Sequence, residues 1–133
     1  MNLKSIFLQC FLILLVTGIG ITKAQADIFD NLAVAVKSGN AKEVSKFLGS
    51  KVDIQIMKEE DVYNKTKAET RLKEFFTKHQ PKKFNLIHKG SSKDGSKFAI
   101  GKLHTDRGVF RTYFFVKEEG NSMRVKEIRF EKN

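Results

Sequence analysis

Apolar positions along this chain follow two rhythms, and each change of rhythm marks a new element. From Asp27 to Lys37, Ile28, Phe29, Leu32, Ala33 and Val36 recur at helical spacing, with Asp27 and Asp30 in the first turn and Gly39 to end the segment. Asn40 then caps a short second helix, Ala41–Leu48, whose apolar side is Val44, Phe47 and Leu48 and whose stop is Gly49. The period drops to two at Val52–Met57, where Val52, Ile54 and Ile56 alternate with Asp53, Gln55 and Met57, the pattern of a half-buried strand. Glu59-Glu60-Asp61 predicts an acidic turn and Val62-Tyr63 a short return strand. Helical spacing returns after Asn64 or Thr66, either of which can cap. Ala68, Leu72, Phe75, Phe76 and His79 form one stripe, and Pro81 forbids any continuation.

Four strands complete the chain: Lys82–Gly90, Lys97–Thr105, Val109–Lys117 and Met123–Lys132, rich in aromatic and β-branched residues and separated by turn residues. The third of these strands carries Val109, Arg111, Tyr113 and Phe115 on one face and Phe110, Thr112, Phe114 and Val116 on the other. Neither face is mainly polar, so both are expected to be covered, and the residues leave open which points inward. In the last strand the apolar parity changes between Val125 and Ile128, which predicts a β-bulge near Lys126-Glu127. Short connections favour a meander with the helices on one face of the sheet.

Residues 1–26 have the pattern of a signal peptide: Lys4, an uncharged apolar run Ile6–Ile21, and small-residue cleavage sites after Ala24 or Ala26. The run is about 16 residues, under the ~20 of a membrane span, so no transmembrane segment is expected after cleavage. Cys10 is the single cysteine and lies inside that run, which leaves residues 27–133 as one α+β domain without a thiol. The chain has 25 Lys+Arg against 15 Asp+Glu, but its only arginines are Arg71, Arg107, Arg111, Arg124 and Arg129, and the lysines are spread along the sequence. Nucleic-acid recognition would call for a clustered stripe and bidentate arginines, so nucleic acid is not an expected partner.

The order helix, helix, strand, strand, helix, then four strands resembles the nuclear transport factor 2-like (cystatin-like) superfamily, a cone-shaped α+β fold with helices packed on a curved antiparallel sheet. The likeness is carried by Ala41–Leu48 as the short second helix, Val62-Tyr63-Asn64 leading into Glu69–Phe76, and Met123–Glu131 as the closing strand. More narrowly, the leader, the Lys-rich domain and the ending Glu127-Ile128-Arg129-Phe130-Glu131 resemble a small secreted family of unknown function from Bacteroidetes-type bacteria. The superfamily includes isomerases, dehydratases, polyketide cyclases and assembly modules, whose enzymes place an Asp, Tyr or His inside the cone. The likeness therefore implies a fold and leaves the activity open.

His88 is the sharpest chemical candidate, because it shares a strand face with Phe84 and Leu86 and is expected to point inward. With Tyr63, Phe76 and Tyr113 it would line a pocket inside the cone for a small apolar or anionic ligand. An isomerase or dehydratase would use His88 as base and Tyr63 or Tyr113 as proton donor. Arg111, Tyr113 and Phe115 are expected on a homodimer surface, since an unpaired buried cation is costly and Tyr and Arg are common at interfaces. The histidines at 79, 88 and 104 lack ligand spacing, and no metal site or cofactor is expected. The leading expectation is an exported, non-catalytic binding domain that dimerises through its sheet, with the enzyme and a Lys-mediated surface adhesin as the alternatives.

Overall fold

The computed structural model describes residues 27–133, so the signal peptide and its cleavage sites lie outside the described residues. Helix α1 spans Ile28–Lys37. Its cap Asp27 accepts a hydrogen bond from the Asp30 N–H at 2.9 Å, and Phe29, Leu32, Ala35 and Val36 are buried. At Gly39 the chain takes a left-handed turn (φ 66°) against Pro81, where a side chain would be crowded. Asn40 caps α2, Ala41–Ser45, by accepting from Glu43 N–H at 3.1 Å.

Helix α2 is shorter than its apolar spacing suggests. The Phe47 carbonyl accepts from Val125 N–H at 2.8 Å and Leu48 is drawn into the sheet, so strand β1 runs Leu48–Ile56. Gly49 is therefore a strand residue and not a helix stop. Strand β2 is also longer than expected. It covers Glu59–Asn64, and the turn lies at Met57-Lys58 because Ile56 pairs with Glu59. Helix α3 follows at Lys65–Lys78, with Asn64 accepting from Lys67 N–H at 2.9 Å. Strands β3 (Pro81–Ser91), β4 (Lys97–Thr105), β5 (Gly108–Glu119) and β6 (Ser122–Lys132) then form the meander.

The six strands make one open, curved sheet in the order β2-β1-β6-β5-β4-β3. Every pair is antiparallel except β1 with β6, so the sheet is mixed where an antiparallel one was expected. The predicted bulge is present: Phe115 pairs with Glu127 and Val116 with Val125, leaving Lys126 as the extra residue.

The three helices of the described residues lie on one face of this sheet. Among the described residues, none is long and apolar enough to cross a membrane. The interior between helices and sheet is filled with aromatic rings. Phe75 stacks on Phe130 (4.4 Å between centroids) and meets Phe110 edge-on at 5.2 Å, while Phe84 lies 6.1 Å from Phe114. These rings are buried, and each stabilises the fold by roughly 1.5–3 kcal/mol.

Candidate functional site

The strand parities divide the expected site residues between the two faces of the sheet. On the helix side, Phe76 is 4% exposed with its ring 6.2 Å from Phe130, and Tyr63 pairs with Val52 and packs on the core. Both fill the interior that was expected to hold a ligand.

His88 lies on the other face and is exposed. Leu86 pairs with Gly101 but His88 pairs with Ile100, so Ile87 is an extra residue that reverses the alternation. The simple period-two expectation that aligned His88 with Phe84 and Leu86 fails at this point. The pocket expected from His88, Tyr63, Phe76 and Tyr113 does not assemble, and His88 and Tyr63 are on opposite sides of the sheet.

The uncovered face carries a row of half-buried apolar side chains: Phe98 and Ile100 from β4, and Tyr113 and Phe115 from β5. In register, Phe98 sits opposite Phe115 and Ile100 opposite Tyr113. The Phe98 ring lies 5.6 Å from His88 and 6.3 Å from Tyr113, bridging them, and it covers Gly90, where any Cβ would meet it at 2.4 Å. Phe98 is a central member of this row that strand periodicity alone did not single out. Its pairing with Phe115 and the glycine opposite it were the available signals.

Charges of both signs border the row. Arg111 reaches Glu131 at 3.8 Å, and Arg129 is held by Glu127. Burial raises the pKa of Tyr113, and the Glu127 carboxylate adds to the effect. Further along, the Glu60 pKa is raised by its hydrogen bond to Asp53 and then by the charge of that carboxylate. One Asp53 oxygen, Oδ1, is buried without a hydrogen-bond partner among the described residues.

A separate groove of about 770 Å³ lies between α3 and the β1–β2 hairpin. Ile56, Phe75 and His79 contribute its apolar lining, and charged side chains from β2, α3 and β6 surround them. The His79 ring stacks on Phe75 at 4.9 Å and meets Phe110 edge-on at 5.1 Å, so the histidine read as a helix end also lines this groove. Met57, at the hairpin tip, has φ 55° and is 41% exposed. Among the described residues, no group of three or more His, Cys, Asp or Glu is placed to hold a metal ion.

The model of a family described as a domain of unknown function (DUF4783) matches residues 29–131. A DUF4783 protein from Bacteroides uniformis is 34% identical, with a TM-score of 0.76 over 80% of this chain and 98% of the other. One from Bacteroides ovatus is 35% identical, with a TM-score of 0.74 over 77% of this chain and 93% of the other. An NTF2-like (nuclear transport factor 2-like) protein of unknown function from Cytophaga hutchinsonii is 10% identical, covers 84% and 94%, and gives a TM-score of 0.57, a likeness of fold alone. No curated protein matches the chain.

Proposed function

We propose that this chain, which belongs to the DUF4783 family, acts after export as a non-catalytic interaction domain whose uncovered sheet face docks on a second copy of itself. The observation that carries this reading is the row Phe98, Ile100, Tyr113 and Phe115, half-buried on the face that no helix among the described residues covers. Tyr, Phe and Arg concentrate at the centres of protein interfaces, where lysine is depleted. Of the basic residues around this row, Arg111 and Arg129 neighbour it on β5 and β6, and Lys102 of β4 pairs with Arg111 at its margin.

A two-fold pairing also suits the charges. Arg111 and Arg129 alternate with Glu127 and Glu131, so a copy turned through half a rotation can present its acids to these bases and its bases to these acids. The expected export rests on the leader-like pattern of residues 1–26, and mass spectrometry of the secreted protein should find its N-terminus at Gln25 or Asp27.

Light scattering and sedimentation test the dimer. The purified protein is expected to be dimeric at micromolar concentration. Phe115→Lys and Tyr113→Glu should each yield a monomer with a helix-and-sheet circular dichroism spectrum like the parent. A strict monomer at high micromolar concentration would remove this reading.

A further inference from the structure

We propose that the groove between α3 and the β1–β2 hairpin is a binding site for small anionic amphiphiles, molecules with an apolar ring or chain and one acidic headgroup. At about 770 Å³ it has the size of a small-molecule site. The apolar surface it offers is the part-exposed His79 ring and the Met57 side chain, with the buried Ile56 and Phe75 side chains behind them.

The sign of the headgroup follows from which rim charges are already engaged. Glu59 and Glu74 are both held by Arg71, at 3.0 and 3.8 Å, and Glu131 is held by Arg111 at 3.8 Å. Lys58, Lys78 and Lys132 line the same groove and make no ion pair among the described residues. Arg71 balances only one of its two glutamates, so three unpaired lysines outweigh one uncompensated carboxylate and the field is positive. The carbonyls that end α3 disfavour an anion beside Lys78, which assigns the headgroup to the strand side, by Lys58 and Lys132.

Met57 is an independent pointer to the same place. It occupies the first position of a two-residue hairpin turn in the left-handed region, where glycine, asparagine or aspartate would be relaxed. Its backbone is pinned there, with its N–H donating to the Phe130 carbonyl at 2.8 Å and its carbonyl accepting from Gln55 Nε2 at 2.9 Å. The side chain is not buried in the core, so the fold gains little from having methionine there. What it does provide is an adaptable apolar contact at the rim of the groove.

The test titrates the purified protein with 1-anilinonaphthalene-8-sulfonate and with its uncharged relative N-phenyl-1-naphthylamine. The sulfonate should bind saturably, and the neutral probe should bind about tenfold or more weakly. The double variant Lys58→Glu/Lys132→Glu should lose about tenfold in sulfonate affinity at an unchanged melting temperature, with a smaller loss for Lys78→Glu. Met57→Gly should raise the melting temperature while weakening binding. Tyr113→Glu, on the uncovered sheet face, should leave binding intact and so separates this site from the self-association surface. Equal binding of both probes, indifference to the lysine pair, unchanged affinity in Met57→Gly, or loss of binding in Tyr113→Glu would each overturn the assignment.

Discussion

Glu119 bridges two interruptions of the strand ladder. Between Leu48 and Asp53 strand β1 loses register with β6, which frees the Ser50 N–H to donate to Glu119 Oε1 at 3.1 Å. Lys126, the extra residue of the β6 bulge, reaches the same carboxylate at 2.8 Å. Hydrogen bonds from Lys126 and then Ser50 lower the Glu119 pKa from 4.5 to about 2. A carboxylate whose folded value is depressed contributes its full stabilisation above its unfolded value and loses it as pH falls towards the folded one. Glu119→Gln is therefore expected to lower the melting temperature at pH 7, and to flatten the loss of stability between pH 4.5 and about 2 in thermal unfolding followed across pH. A Cβ at Gly49 would lie 2.5 Å from Glu119 Oε2, so a side chain there would push this carboxylate off its partners. Nothing near Gly49 in the sequence announces this, because its neighbour Ser50 is 69 positions from its partner. Gly101 is a comparable case on the core face. A Cβ there would meet Phe84 at 2.5 Å and the Asn85 carbonyl at 2.8 Å, so Gly101→Ala should destabilise by about 1–3 kcal/mol in urea unfolding.

At the scale of elements, local chemistry and long-range pairing each decided part of the outcome. Asn40 and Asn64 cap as their positions before helical runs suggest, because a cap needs only a side-chain oxygen and an N–H three residues on. Asn64→Ala should lower stability by about 1 kcal/mol, read by thermal unfolding, and Asn64→Asp should retain most of it. The inward set Val52, Ile54 and Ile56 was equally legible, as was the bulge at Lys126, since both are written into apolar parity. The start of β1 was not, because Phe47 and Leu48 fit a helical face as well as a strand and pairing with Val125 chose between them. The face of His88 escaped for the same kind of reason. One inserted residue, Ile87, reverses the alternation, and its position is set by the β4 partner strand. The groove was invisible locally because it gathers residues from four separate elements.

For the whole molecule, the sheet has one covered face, one uncovered face and two edges, β2 and β3. Strand β3 contains two irregularities. Lys82 is extra between the pairs Pro81–Thr105 and Lys83–His104, and Ile87 is extra between Leu86–Gly101 and His88–Ile100. Pro81 lacks a donor, and Lys82, Lys83 and Lys89 add charge along the same margin. Deleting Ile87 would straighten this margin while keeping His88 on its present face, because the alternation from Leu86 onward is then unbroken. The deletion variant is expected to convert to thioflavin-positive fibrils on agitation at concentrations where the parent stays clear. The two supernumerary residues thus act as spoilers on the β3 side: a passing chain finds no straight selvedge to knit onto there. Growth of stacked strands outward from that margin is denied.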